Sequence, residues 1–432
     1  MSRQRVIVGI DVGTSKIATV VATPSGDSGN IRVIGAATVD SVGIKKSQIV
    51  DIEEAIASIT KSVESSERMA GLSISDAVVS IGGSHIESQN SRGVVAVSHP
   101  DGEIDHDDVR RVIEAARAVS LPASQEILHV LPREYKVDSQ EGIKDPVGMS
   151  GIRLEAEVHI VTASATAVRN LTKCLTELGI TQNSLVYSGL ASSESVLTST
   201  EKELGVVLVD LGGGTTSIAI WVDGSLAHSA VLPIGARNIT NDLAIGMRVS
   251  LDAAEKVKRF LSQKEKKPSL PKGEKQEEDS DEIDLVKLGI AEEHAKTSKK
   301  TLIDGIIRPR LQEVFTMVGM ELKESGFGGR TPAGVVLTGG GAKTVAIDTM
   351  CKRVLSLPVR IGAPQTLEGL IDDIKDDPSY AVTEGLLLYA VRNNLVMNRA
   401  SGSRPSLRKF TDRFPVKGAV NKTVEFLKQF LP

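Results

Sequence analysis

The sequence predicts an α/β protein of two related halves that face each other across one cleft, with a β-rich module inserted in the first half. Residues 206–220 read as a buried strand, a glycine turn and a second strand. The first run is apolar and β-branched and carries Asp210 near its end; Gly212, Gly213, Gly214, Thr215 and Thr216 follow, and a second apolar run begins at once. Residues 6–21 repeat that order, with Asp11 near the strand end and Gly13, Thr14, Ser15 and Lys16 at the turn. A third stretch, residues 333–342, is a strand closed by Gly339, Gly340, Gly341 and Ala342, with a helical pattern after it.

Glycine turns flanked by hydroxyls present N–H and O–H donors to phosphate oxygens, and a carboxylate at the strand end is placed to hold a hydrated Mg²⁺. A single such turn also fits an ordinary hairpin; the second copy and the third glycine turn favour phosphate. The third turn is not a Walker A loop, because Leu337 and Ala342 stand where that motif needs glycine before Lys343.

At 432 residues the chain exceeds what one core supports, so more than one domain is expected. Apolar residues make up 41% and charged residues 25%, the balance of a folded soluble protein. A net charge of −4 excludes bulk nucleic-acid binding. Cys174 and Cys351 make no disulfide framework and fit a reducing cytoplasm, and the seven histidines lack metal-ligand spacing. No secretory leader pattern and no apolar run of membrane-spanning length is expected.

In chain order, residues 31–39 form a third strand after the hairpin. Ile49, Ile52, Ile56, Ile59 and Val63 then recur at helical spacing, which predicts an amphipathic helix over 50–68. A strand over 77–83 precedes the inserted module at 84–162, with strands near 93–98, 126–137 and 152–163 and a helix over 105–119 that Asp105 caps. Helices are expected over 165–178 and 191–200, with a short strand at 184–188 between them. After the central hairpin come a strand at 226–233 and helices over 236–247 and 250–263. Residues 264–284 hold five lysines and eight acidic residues with almost nothing apolar, a surface loop. Helices resume around Ala291, and a long one over 301–325 must kink or break at Pro309. The glycine turn feeds a helix over 343–355; a strand at 359–361 and a helix over 380–393 close the folded body.

Residues 396–418 read as a flexible linker. Beyond it, Val420, Thr423, Val424, Phe426, Leu427, Phe430 and Leu431 fall in one arc of a helical wheel, with polar residues opposite. From Arg404 onward there are seven basic and two acidic residues, a local charge of +5 on an acidic chain. Polybasic charge adds roughly 1 kcal/mol per residue near an anionic leaflet, and each buried Phe, Leu or Val adds at most about 1.5–3 kcal/mol. Residues 419–432 are therefore expected to be a reversible membrane anchor.

In this order the three glycine stretches resemble the two phosphate motifs and the adenosine motif of the actin, Hsp70 and sugar-kinase superfamily. The resemblance implies ATP and Mg²⁺ clamped between the halves. Asp11 and Asp210 would hold the metal's water shell. Gly13, Thr14, Ser15, Lys16, Gly212, Gly213, Gly214, Thr215 and Thr216 would cradle phosphates, and Gly339, Gly340, Gly341 and Ala342 would line the adenosine. Glu255 and Lys258 resemble the pair that touches adenosine in relatives, although their spacing equally suits an i, i+3 ion pair.

Within that superfamily, residues 189–198, 203–219, 233–240 and 360–364 look like the FtsA family of bacterial cell-division actin homologues. That resemblance implies an actin-like two-lobed fold: subdomain 1A at 1–83, 163–200 and 370–395, an inserted subdomain 1C at 84–162, subdomain 2A at 201–235 and 301–369, and subdomain 2B at 236–300. It also implies the tubulin-like division protein FtsZ as partner, contacted on subdomain 2B with Lys299 and Lys300 as candidates. Self-association into filaments, anionic lipids, further division proteins at subdomain 1C and a place on the cytoplasmic face of the plasma membrane follow from it as well. The Glu-Pro pair that positions the attacking water in many ATP-hydrolysing relatives is replaced here by Ser188-Gly189, with Glu194 nearby as a weak substitute. The resemblance therefore implies ATP acting as a switch with slow or absent turnover. A type IV pilus adaptor of the PilM kind, or a small-molecule kinase, is the alternative that the superfamily allows.

Overall fold

The computed structural model describes residues 4–25, 30–99, 101–263, 281–290, 296–364, 367–369, 376–395 and 397–399. In the first half β1 (Gln4–Val12), β2 (Lys16–Ser25) and β3 (Asn30–Asp40) form an antiparallel meander. A small hairpin, β4 (Ile44–Lys45) and β5 (Gln48–Ile49), leads into α1 (Ile52–Ala70), and β6 (Asp76–Ile81) returns parallel to β1. Asp51 starts α1 by accepting the Glu54 N–H, and Gly71 ends it in the left-handed conformation.

The buried face of α1 is not the isoleucine stripe alone. Ser58, Ser62 and Ser66 are buried with Ile59 and Val63. Ser62 donates to Thr19 Oγ1 at 2.8 Å and Ser66 to the Thr19 carbonyl at 2.8 Å, so small hydroxyls let the helix lie close to the sheet.

The inserted module follows: β7 (Glu87–Ala96), α2 (His106–Arg117), β8 (Gln125–Val137), β9 (Gln140–Ile143) and β10 (Arg153–Ser164). Its sheet runs β7-β10-β8-β9 around its own small core of Ile104, Val112, Ala116, Leu154 and Val158. Asp105 caps α2 in a reciprocal box with Asp108. Strand β9 carries no apolar alternation and is a structural addition to the sequence pattern.

The chain returns through α3 (Ala165–Glu177) and β11 (Thr181–Tyr187), which pairs parallel with β6. The helix expected over 191–200 is two: α4 (Ser188–Val196) and α5 (Ser199–Leu204). Leu197 is extended, and Thr198 opens α5 with a capping box to Glu201.

The second half repeats the first. Strands β12 (Val206–Leu211), β13 (Thr216–Val222) and β14 (Ser225–Leu232) form the meander, followed by α6 (Ala236–Met247) and α7 (Leu251–Ser262). Next come β15 (Glu282–Asp284) and β16 (Lys296–Ser298), paired antiparallel. Two expectations are corrected here: the end of the charged loop is a strand, and 296–298 is a strand rather than helix, the β-branched Ile283 and Thr297 pairing across the ladder. Residues 291–295 lie outside the described residues.

The long helix expected over 301–325 is α8 (Lys299–Leu302), a π-helical turn at Ile303–Ile307 and α9 (Arg308–Glu324). Pro309 has no N–H to give, and the wider turn just before it absorbs the missing bond without a break. Strand β17 (Val335–Thr338) lies parallel to β12, and β18 (Val359–Ile361) parallel to β17. Between them the expected helix over 343–355 begins later: Gly340–Lys343 is a 3₁₀ turn and α10 spans Ile347–Leu355. Glycine flexibility at 340 and 341 and the tight turn delay the start.

The chain then crosses back to the first half with β19 (Leu367–Glu368), a 3₁₀ turn at Pro378–Tyr380, α11 (Ala381–Arg392) and β20 (Met397–Arg399). Strand β20 pairs with Gln4–Val6 of β1, so the linker expected from 396 begins with chain that extends the first sheet. The amphipathic tail lies outside the described residues. The two sheets, β3-β2-β1-β6-β11 and β14-β13-β12-β17-β18, share one topology.

Three contacts hold the parts in place. Helix α11 crosses α4 at Gly385, where a Cβ would collide with the Ala191 carbonyl. Gly385→Ala is expected to lower stability by about 1–3 kcal/mol or more, read as a fall in the thermal midpoint. Tyr187, fully buried at the end of β11, places its hydroxyl 2.8 Å from both the Ile218 and the Ala230 carbonyls of the second half, with its one proton between them. The inserted module is docked on β14: His159 Nε2 lies 2.9 Å from Ser229 Oγ, Ser88 donates to the Ser229 carbonyl at 2.8 Å, and Asn90 donates to the Ala227 carbonyl at 3.2 Å.

Candidate functional site

The two hairpins are superposable in their bonding. In β1–β2, Asp11 stands opposite Ala18 and the Gly13 N–H closes the loop onto the Lys16 carbonyl at 3.1 Å. In β12–β13, Asp210 stands opposite Ser217 and the Gly212 N–H closes onto the Thr215 carbonyl at 2.9 Å. The loops meet tip to tip across the cleft. A Cβ on Gly213 would collide with Ser15 Oγ, and one on Gly214 would come within 2.8 Å of Thr14 Oγ1. Glycine at these positions is what leaves bare backbone between the loops.

Asp11 accepts from Ser80 Oγ at 2.7 Å, and Ser80 in turn accepts the Val12 N–H. Burial pushes the Asp11 pKa up, against the Ser80 bond and the Lys16 charge. Asp210 is 6% exposed. Burial first and the Asp11 charge second push its pKa up to about 7, with a Ser192 hydroxyl bond and Lys16 opposing. Lys16 lies with its ammonium 3.4 Å from the centroid of the Tyr380 ring and donates to Ser379 Oγ at 3.2 Å. Burial draws its pKa down to about 8, with Asp11 the largest opposing influence.

The third glycine turn abuts the second carboxylate. Thr338 pairs with Asp210 in the parallel ladder, and Gly339, at φ +83°, stands where a Cβ would collide with Asp210 Oδ1. Its N–H donates to the Pro378 carbonyl at 3.1 Å. Lys343 donates to Asp377 Oδ2 at 2.7 Å, tying this turn to the segment that carries Ser379 and Tyr380. Helix α6 starts against the second loop, its Ala236 and Arg237 N–H groups donating to the Gly212 and Gly213 carbonyls at 2.9 and 2.8 Å.

Glu255 and Lys258 form an ion pair at 2.6 Å on α7. Thr240 donates to Glu255 at 2.6 Å, and Lys258 donates to Thr240 Oγ1 at 2.8 Å and to the Ala236 carbonyl at 3.3 Å. The pair thus braces α7 against the start of α6, at Ala236, which itself binds the second loop. Burial pushes the Glu255 pKa up, but the Lys258 charge and the bonds from Lys258, Thr240 and Arg259 bring it below the ordinary value.

Glu194 is engaged elsewhere: Lys202 binds it at 3.2 Å and Arg392 at 3.1 Å, and Lys202 sits over the Trp221 ring. Lys299 and Lys300 open α8 well apart from the cleft loops in sequence, with Lys300 exposed and its N–H donating to Asp281. Sequence reasoning missed Ser47, Ser80, Asp377, Ser379 and Tyr380. Only Asp377-Pro378-Ser379 carries a local signal, the cap-and-proline start of a helical turn. Among the described residues no group of three or more His, Cys, Asp or Glu side chains is arranged to hold a metal, and no helix is long and apolar enough to cross a membrane.

Residues 83–162 match the family model of the SHS2 domain inserted in FtsA, and residues 207–385 match that of cell division protein FtsA. Over 389 residues the sequence is 39% identical to the cell division protein FtsA of Pseudomonas aeruginosa, covering 90% of each chain. The chain belongs to the FtsA family. The FtsA of Bacillus subtilis is 37% identical over 403 residues, 93% of this chain and 87% of that one. The FtsA of Escherichia coli is 33% identical over 406 residues, 91% of this chain and 92% of that one.

Among solved structures the fold is similar to a PilM–PilN type IV pilus biogenesis complex, with a TM-score of 0.62 at 16% identity over 89% of this chain and 98% of that one. It is also similar to MreB5 of Spiroplasma citri, with a TM-score of 0.51 at 16% identity over 90% and 98% of the two chains. At such identities the likeness is one of fold, and that fold is the actin-like two-lobed one. An FtsA-family protein acts in cell division; the pilus adaptor reading rests on shape alone.

Proposed function

We propose that this chain is an ATP-binding, actin-like division protein that polymerises on the cytoplasmic face of the plasma membrane at the division site and tethers FtsZ filaments there. The observation that carries the reading is the matched pair of hairpins, whose buried carboxylates and hydroxyl-bearing glycine loops oppose each other across one cleft. Their donor set fits the ligand. Two buried carboxylates are poorly satisfied without a cation, and the glycines lie where any side chain would fill the cradle. Two solved structures of similar fold, MreB5 of Spiroplasma citri bound to ADP and to AMPPNP, support a nucleotide as the ligand.

Asp11 and Asp210 would hold the water shell of Mg²⁺, a cation that keeps its waters and takes one or two carboxylates. Gly13, Thr14, Ser15, Lys16, Gly212, Gly213, Gly214, Thr215 and Thr216 would face the phosphates. Gly339, Gly340, Gly341 and Ala342 would line the adenosine, with Glu255 and Lys258 beside it. Bound metal supplies the positive charge that neutralises a triphosphate. The protein's part is to hold two halves at the separation which that ligand sets. Ser188-Gly189 in place of a Glu-Pro pair, and Glu194 held by Lys202 and Arg392, support a switch with slow or absent hydrolysis.

FtsZ is proposed to contact subdomain 2B near Lys299 and Lys300, further division proteins the inserted module, and anionic lipids the tail through Val420, Val424, Phe426, Leu427, Phe430 and Leu431. Electron microscopy of the full chain on a lipid monolayer with ATP, with and without FtsZ, tests the whole reading: filaments lying on lipid support it, and their absence under both conditions overturns it. For the tail, deletion of residues 419–432 is expected to abolish sedimentation with anionic liposomes at unchanged Mg·ATP affinity. Undiminished sedimentation would dismiss the anchor.

A further inference from the structure

The hairpin β4–β5 turns on Lys46 and Ser47, both in the left-handed region at φ 48° and 57°. That is the two-residue turn for which Asn-Gly or Gly-Gly is the usual choice, because side chains resist positive φ at both positions. Here neither residue relieves the strain, so something outside the turn must hold it.

The tip of the hairpin reaches both glycine loops. The Ser47 N–H donates to Thr14 Oγ1 at 2.8 Å, and Ser47 Oγ lies 2.9 Å from Thr215 Oγ1. The Lys46 Cα lies 3.1 Å from where a Cβ on Gly214 would stand. The root is equally fixed, the Val50 and Asp51 N–H groups donating to the Gly43 carbonyl at 2.8 and 3.1 Å. Behind the tip lies a cavity of about 20 Å³, room for about one water, bounded by Ser47, Gln48, Ser80 and His85.

A hydroxyl carries one proton and two lone pairs. By accepting the Ser47 N–H, Thr14 Oγ1 has one lone pair occupied; its contact with Ser47 Oγ is long, at 3.5 Å, which lets its proton turn toward a phosphate oxygen. Ser47 Oγ and Thr215 Oγ1 share one hydrogen bond; with Ser47 as its donor, Thr215 accepts there and keeps its own proton for a phosphate oxygen. Because Thr215 belongs to the second half, this bond also spans the cleft.

We propose that Ser47 is a positioning residue of the nucleotide site: it ties the two glycine loops together and orients the Thr14 and Thr215 hydroxyls as donors to phosphate. This rests on the nucleotide reading above. Ser47 acts through the two threonines and is not itself a ligand.

The test compares the full-length wild type with Ser47→Ala and Ser47→Gly. Both remove the hydroxyl, but only glycine also relieves the left-handed strain. Mg·ATP affinity is measured by calorimetry, and thermal midpoint and amide exchange at 13–16 and 212–215 are measured without nucleotide. Both variants are expected to lose about five- to tenfold in affinity and to exchange faster at 212–215, while Ser47→Gly melts higher than Ser47→Ala. Affinity then follows the hydroxyl and stability follows φ, a separation that a purely structural serine would not produce. In a Thr215→Ala background, Ser47→Ala should cost no further affinity. Wild-type affinity and exchange in both variants would overturn the proposal while the nucleotide reading stands. A wild-type protein that binds no Mg·ATP would overturn both.

Discussion

Asp210→Asn is expected to weaken Mg·ATP binding on the order of 10- to 100-fold, the usual cost of removing a group that orients a bound metal, and at the same time to raise the thermal midpoint of the nucleotide-free protein. The two effects share a cause. Asp210 is buried at a strand end beside Asp11, and its pKa stands near 7 because the folded chain solvates the charge poorly. The charge that a cation would need is one the fold alone disfavours, so the neutral isostere is the better structural residue and the worse site residue. Calorimetry with Mg·ATP gives the first effect and a melting curve without nucleotide gives the second. A variant that binds as the wild type does would remove Asp210 from the site.

Glu384→Gln is expected to stabilise the protein by an amount that grows with pH. Glu384 is 1% exposed in the first turn of α11, neither carboxylate oxygen finds a partner among the described residues, and burial, with Asp376 adding to it, pushes its pKa from 4.5 up to about 8. Below about pH 4.5 the carboxyl is protonated both folded and unfolded, and the substitution changes little. As pH rises toward about 8 the unfolded chain loses its proton while the folded chain keeps it, so stability falls; above 8 the penalty is constant. At 1.36 kcal/mol per pKa unit the full gain is at most roughly 5 kcal/mol, and less because glutamine leaves its own amide unpartnered. Urea titrations of both proteins at pH 4.5 and 8.5 would show it as a gap that opens with pH; a constant gap would refute the assignment.

The parts of the molecule that follow from local pattern were readable without coordinates. Both hairpins, the third glycine turn and most helix limits rest on apolar periodicity, capping residues and glycine, which act within a few residues of chain. The departures each have a long-range or geometric cause. The serine face of α1 is polar by composition and buried only because Thr19 meets it. The π-helical turn before Pro309 and the pairing of β20 with β1 depend on partners elsewhere in the fold. Ser47 escaped notice for a related reason. A Lys-Ser turn carries none of the residues that advertise positive φ, and the bonds that hold it come from loops 33 and 168 positions away. The same holds for Tyr380 and Ser379, which reach Lys16 from the far end of the chain.

The docking of the inserted module on β14 has a mechanical consequence. Its two chain connections join the first half, between β6 and α3, yet His159, Ser88 and Asn90 fasten it to the second. A piece anchored covalently to one body and by hydrogen bonds to the other is a strut across a hinge. Rotation of the halves must therefore either carry the module along an arc or shear those three bonds. While those bonds hold, a change in the angle between the halves is passed to the module and so to α2; once they shear, the module follows the first half alone.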